Sequence, residues 1–227
     1  MAQQPAPFSI SEALRFGWER TKGNLKPLLT LGLIVFFLGV LRRLLLVRGS
    51  ETGLRGLMVL AVELVQIGVS LAYIRTAIRI HDRKPVDLSR PADQLADFFP
   101  YLLTSIVYSI VLAIGLVLLI VPGVFWALTF GFATLLVVDK RLDTLAAFQE
   151  SRRLTRGVKG PLFGFGLAMI GVNLIGLIAL GVGMLFTIPV SLIAGVHVLR
   201  TLQARAGVRV EEPHAPPILP REPVNQP

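Results

Sequence analysis

Cysteine is absent from the 227 residues. That excludes a disulfide framework, a thiolate nucleophile and any Cys-ligated metal site, and it leaves the redox compartment open. Charge is scarce as well: Asp, Glu, Lys and Arg make up 16% of the chain, against about 25% in an average soluble domain. Acidic residues are the rarer kind, 14 against 23 basic ones, for a net charge of +9. No Gly-rich phosphate loop, Ser-His-Asp arrangement or paired-carboxylate site stands out. His81 and His197 lack a second His, Asp or Glu at metal-ligand spacing. The sequence therefore implies no catalytic residue, cofactor or metal ligand, and a role that is not enzymatic.

What is abundant is apolar sequence, 53% of the chain with a mean hydropathy of +0.69. In a soluble protein the basic surplus would suggest nucleic acid as a partner. Here the basic residues fall in clusters between apolar runs, which favours orientation in a bilayer and contact with anionic lipid. A spanning helix needs about 20 mainly apolar residues. Windows that qualify lie at 25–47, 56–74, 98–121, 124–140, 160–181 and 184–202. The first has no small-residue cleavage site and reads as an uncleaved span. Pro122-Gly123 punctuates a tight hairpin between the third and fourth, and Gly181, Gly183 and Pro189 mark the fold-back between the fifth and sixth. The fourth window is short; it either extends through Asp139 to Arg141 or turns beneath the outer surface.

Placing both termini in the cytoplasm puts all but four of the 23 Lys and Arg on that side, as the positive-inside rule requires. The exceptions are Arg42, Arg43, Arg48 and Arg55, all in the first outer loop. Residues 1–205 form a single membrane domain in this reading. Residues 206–227, rich in proline and polar groups, form a disordered cytoplasmic tail.

Two basic segments resemble each other at a 134-residue offset: "WERTKGNLKP" (18–27) and "ESRRLTRGVKGP" (150–161). Ala13, Thr21, Gly23 and Pro27 match Ala147, Thr155, Gly157 and Pro161, and Gly17 corresponds to Ser151. The matches ahead of the glycine recur at helical spacing, so two amphipathic interfacial helices are expected, at about 9–22 and 143–156. Ser9 with Glu12 fits a capping box for the first, with Ile10, Leu14 and Trp18 on its apolar stripe. Asp143 or Thr144 can cap the second, and Leu154 joins its stripe. Gly23 and Gly157 suit left-handed C-terminal caps, and Pro27 and Pro161 suit the first turn of the next helix. Each unit is an elbow, with Arg15, Arg20, Lys22, Arg152, Arg153, Arg156 and Lys159 at the level of lipid headgroups. A weaker copy precedes Pro100, and the chain reads as tandem helical hairpins with an internal repeat.

Glu63 is the acidic residue deepest inside an expected span, with Gln66 and Ser70 on nearby turns. An intramembrane carboxylate suggests an ion or proton path, unless Glu63 pairs with Arg55 or Arg48 near the interface. Asn173 and Thr187 read as interhelical hydrogen-bond partners, and Gly164, Ala168 and Gly171 as a small-residue ridge in the core.

The stretch "VPGVFWALTFGFATLLVVDKRLDTLAAFQESRRLTRG" (121–157) resembles a group of bacterial membrane proteins related to the membrane domain of glycerophosphoryl diester phosphodiesterases. The resemblance rests on Pro122, Gly123, Asp139, Ala147, Ser151, Leu154, Thr155, Arg156 and Gly157, and on the opening "FSISEALRFGWERTKGN". It implies a multi-pass inner-membrane protein without phosphodiesterase activity, since nothing outside the membrane segments is long enough for a catalytic domain. The expectation is an all-α polytopic bundle of six transmembrane helices in the bacterial inner membrane. It would act as a scaffold or accessory factor through anionic lipid, a membrane-protein partner or a homo-oligomer. The rival is a small transporter or channel using Glu63, Gln66 and Asn173.

Overall fold

The computed structural model describes residues 7–47, 53–86, 92–179 and 183–207. Arg48, Arg90, Gly181, Arg209 and the expected tail from 208 onward lie outside these. The described residues form an all-α bundle: α1 (Ile10–Gly23), α2 (Leu25–Val47), α3 (Gly53–His81), α4 (Ala92–Leu118), α5 (Ile120–Phe130), α6 (Ala133–Lys140), α7 (Thr144–Leu154), α8 (Lys159–Ile178) and α9 (Met184–Arg205). Among the described residues six segments are long and apolar enough to cross a bilayer: Leu25–Val47, Gly53–His81, Ala96–Val117, Val121–Lys140, Lys159–Ile178 and Met184–Arg205. The fourth is α5 and α6 in series, broken at Gly131-Phe132, and it extends to Lys140.

Local chemistry accounts for most boundaries. Ser9 Oγ accepts the Glu12 amide at 3.3 Å to start α1, and Asp143 Oδ1 accepts the Ala146 amide at 2.7 Å to start α7. Such caps are worth about 1 kcal/mol each. Extended Leu119 separates α4 from α5, so Pro122 sits in a first turn, where its missing N–H costs nothing. A Cβ on Gly115 would lie 2.8 Å from Gly123 Cα and 2.9 Å from the Trp126 ring. Only glycine permits that hairpin to close so tightly.

α3 runs seven residues past the expected end at Ile74. The apolar window stopped at Arg75, yet Thr76, Ala77, Ile78 and Ile80 continue the helix as buried residues. α4 passes through Pro100 without a break, so the segment before it is part of the third span and not a separate elbow. Pro189 likewise lies inside α9, buried.

The core sits at one end of the bundle, where α1 and α7 pack. Residues 71–80 of α3, 132–138 of α5–α6 and 190–203 of α9 supply most of it. The fourth and sixth spans are the most enclosed, with 44% of each apolar window buried, against 6–17% in the other four. At the opposite end the large apolar side chains point outward, among them Phe36, Phe37, Leu44, Leu57, Leu60, Val117 and Ile178. That surface is stable only against hydrocarbon.

Candidate functional site

α1 and α7 are set into the bundle by the residues that repeat. Ala13, Gly17 and Thr21 are the buried face of α1, and Ala147, Ser151 and Thr155 are buried at the matching positions around α7. α1 lies along α9, where a Cβ on Gly17 would come 2.5 Å from the Val190 carbonyl oxygen. α7 lies against α6 and α5. There the Thr129 carbonyl, next to the Gly131 break, accepts hydrogen bonds from Ser151 Oγ (2.8 Å) and Thr155 Oγ1 (3.2 Å). Thr144 was the alternative cap; its hydroxyl instead donates or accepts nothing at the cap and takes a bond from Thr104 Oγ1 at 3.0 Å. Trp18, expected on the apolar stripe, is half exposed, while Ala13, Gly17 and Thr21 form the packed face.

The two elbows differ at their glycines. Gly157 has φ +79°, the left-handed cap expected of it, and α8 begins two residues later with Pro161 in its first turn. Gly23 is helical, contrary to expectation, and Asn24 makes the turn. The Asn24 side-chain amide donates to the Arg20 carbonyl (3.0 Å) and its N–H to the Thr21 carbonyl (3.1 Å), which satisfies those helix-end carbonyls without a left-handed residue. Pro27 follows in the first turn of α2.

At this end three spans are tied together by one guanidinium. Arg200 on α9 donates to Asp82, just past α3, at 2.6 and 3.2 Å. It donates to Asp139 on α6 at 2.7 Å through each of two nitrogens, and to Gln203 Oε1 at 3.1 Å. Bidentate pairing of this kind is among the stronger polar contacts in proteins. Burial alone would raise the Asp82 pKa, but the hydrogen bonds from His81 and Arg200 outweigh it and hold the carboxyl below its ordinary value. His81 Nδ1 lies 2.9 Å from Asp82 and His81 Nε2 lies 3.4 Å from His197 Nδ1, with Phe16 of α1 stacked on His197 at 4.6 Å. Beside this lies a second knot, in which buried Asp97 of α4 pairs with Arg75 of α3 and with Arg141 Nε at 3.7 Å. Arg141 closes α6 in the left-handed region at φ +51°, an uncommon conformation for a non-glycine residue.

Neither knot was foreseen. In the sequence His81 and His197 only lack metal-ligand spacing and Asp139 only carries part of the resemblance, and nothing brings them together. A signal was present: His197, Arg200 and Gln203 recur every three residues toward the end of a mainly apolar helix, a polar face that needs a partner inside the protein. Among the described residues no group of three or more His, Asp or Glu could hold a metal.

The expected lipid-facing cations surround this end. Arg15 pairs with Glu19 (3.8 Å), Arg20 lies 5.2 Å over the Phe16 ring and Lys22 lies 4.7 Å over Trp18. Arg153 is held by both oxygens of Glu150 at 2.7 and 2.9 Å, which raises its pKa. Arg152, Arg156 and Lys159 line an open hollow of about 480 Å³ with Gly157 and Gly160. A second depression, an apolar groove of about 630 Å³, runs between α4 and the start of α7, past Leu103 and Ile106 to Leu145.

Glu63 pairs with Arg42 of α2 at 3.3 Å, because α2 and α3 pack side by side and bring those two residues level; Arg48, one of the partners expected for it, lies outside the described residues. Asn173 donates to Ser191 Oγ on α9 at 2.8 Å, the interhelical bond expected of it. Gln66 Oε1, Asn173 Oδ1 and Thr187 Oγ1 are buried with no hydrogen-bond partner among the described residues. Thr187 packs on Gly176 and makes no interhelical bond; a Cβ there would lie 2.4 Å from its hydroxyl. The expected ridge on α8 is not a core seam: Gly164 faces Ile10, but nothing approaches Gly171, which is exposed. The close crossing of α8 with α9 is at Gly176 and Gly183 instead.

An all-α bundle with six spanning helices, an apolar outer surface and an ion-tied polar end defines a multi-pass integral membrane protein. No protein-family model, curated protein or solved structure matches the chain.

Proposed function

We propose that the protein is a non-catalytic scaffold or accessory factor of the bacterial inner membrane. The end carrying α1 and α7 faces the cytoplasm, and it engages anionic lipid or partner membrane proteins, including further copies of itself. The relationship to glycerophosphoryl diester phosphodiesterase membrane domains, drawn from residues 121–157, belongs to the same proposal. The observation that carries the reading is the division of labour on α1 and α7. Their small residues are buried against α9 and α6, and this fixes the outward face that bears Arg15, Lys22, Arg152, Arg153 and Arg156. A cation near an anionic leaflet contributes about 1 kcal/mol, so a fixed array discriminates strongly between anionic and neutral membranes.

The test is reconstitution into nanodiscs containing mixed anionic and zwitterionic lipid, followed by quantitation of the lipid retained on extraction. The wild type should enrich anionic lipid. A variant with Arg15, Lys22, Arg152, Arg153 and Arg156 changed to Gln should lose the enrichment, and an unchanged ratio would overturn the reading. A second reading, a small solute or ion transporter, is supported by Thr21 Oγ1, Tyr73 OH, Asn173 Oδ1 and Thr187 Oγ1, buried atoms without a hydrogen-bond partner among the described residues. They lie on α9 or on helices that pack against it, and unpaired buried polar groups cost about 1–3 kcal/mol each. A proton or solute flux in proteoliposomes that Asn173→Val or Glu63→Gln alters would favour it.

A further inference from the structure

The hollow between α7 and α8 differs from the rest of the basic surface in three ways. Its two guanidiniums are uncommitted: among the described residues neither Arg152 nor Arg156 has an ion pair. The nearest carboxylate in sequence, Glu150, is taken by Arg153 and by Lys140 at 3.7 Å. Its shape is fixed: Gly157 turns the chain at φ +79°, and Lys159 is held with its ammonium 3.3 Å from the centre of the Phe125 ring on α5. It also borders an apolar face. Gly160, which lines the hollow, begins an exposed face of α8 formed by Phe163, Leu167, Ile170 and Leu174. From Gly160 to Leu174 that face is about 21 Å long at 1.5 Å per residue, enough for an extended acyl chain.

The corresponding positions of the first elbow lack these properties. Trp18 stands where Arg152 does, Leu25 where Lys159 does, and Lys22, the counterpart of Arg156, lies over the Trp18 ring.

We propose that the hollow is a binding site for the phosphomonoester group of a membrane lipid, whose acyl chain lies along the Phe163–Leu174 face of α8; this rests on the anionic-lipid reading above. Guanidinium forks match phosphate oxygens in pairs. A phosphomonoester carries about 1.5 to 2 negative charges at neutral pH and a diester one, so three cations with no carboxylate among them select the monoester. The first amides of α8, which no side chain caps, add to the same preference.

Binding to the full chain in detergent tests this, with dioctanoyl phosphatidic acid, dioctanoyl phosphatidylglycerol, glycerol 3-phosphate and inorganic phosphate as probes. Phosphatidic acid should bind at least tenfold more tightly than phosphatidylglycerol. R152Q/R156Q/K159Q should lose that selectivity and at least tenfold in affinity, and R156Q alone should lose a part of both. K22Q/K26Q should weaken both lipids alike and keep the selectivity. Equal losses in the two multiple variants would overturn the site and leave the anionic-surface reading standing. No loss in either would overturn both. Equal affinity for glycerol 3-phosphate or inorganic phosphate would overturn the lipid assignment in favour of a soluble phosphate.

Discussion

Replacing Arg200 with Met removes the cation shared by Asp82 and Asp139 while keeping most of the side-chain volume. The Arg200 side chain is 13% exposed, Asp139 6% and Asp82 20%. Four charge-assisted hydrogen bonds of 2.6–3.2 Å are lost, and two mostly buried carboxylates are left near each other. Breaking a buried pair from one side costs about 3–5 kcal/mol, chiefly through the charge left behind. In a chain of this size 1 kcal/mol moves the Tm by about 2–4 °C, so R200M should melt about 6–20 °C below wild type. Tryptophan fluorescence during a thermal ramp of the detergent-solubilised protein reads this through Trp18 and Trp126. R200M/D82L/D139L removes all three charges and should recover most of the loss, because apolar replacement of a complete buried ion cluster is close to neutral. An R200M Tm within 2 °C of wild type would refute the assignment of Arg200 as the tie between spans two, four and six. A triple variant no better than R200M would refute the electrostatic cause.

Two further outcomes follow from named contacts. Gly17→Ala places a Cβ 2.5 Å from the Val190 carbonyl and should cost about 1–3 kcal/mol by overpacking. Gly23→Ala meets nothing within 4 Å in a helical backbone and should be neutral or stabilising by up to about 1 kcal/mol; thermal melts in the reverse order would disprove the docking of α1 on α9. Asp82 has a depressed folded-state pKa, so its contribution is complete above the unfolded value near pH 4 and is lost as pH falls through the folded value. Asp82→Asn should lower the Tm at neutral pH and flatten its decline in acid, whereas curves that stay parallel to wild type down to pH 3 would contradict the pairing.

Much of the architecture follows from the chain read locally. Hydropathy alone places six spans, since a helix in hydrocarbon satisfies its own backbone and needs only length and apolarity. Ser9, Asp143, Gly157 and the two elbow prolines act within a few residues of themselves, and so they could be read one at a time. The rule failed where neighbours from elsewhere decided the outcome. Arg75 closes the apolar window of the second span, but Asp97 pairs with it and the helix continues. Gly23 has the composition of a cap, but Asn24 makes the turn. Gly171 has the spacing of a packing glycine, but α8 meets α9 at Gly176.

The sequence by itself determined an all-helical membrane protein with two basic helices joined by prolines to the spans that follow, because periodicity, hydropathy and caps are short-range properties. Only the tertiary structure decided which polar groups meet. Arg200 finds Asp82 118 positions away and Asp139 61 positions away. A charge on an apolar helix advertises that it needs a partner, but the packing of the helices selects which one. The same packing turned the repeated Ala13, Gly17 and Thr21 stripe inward onto α9, and it left Arg152, Arg156 and Lys159 around a hollow at the start of α8.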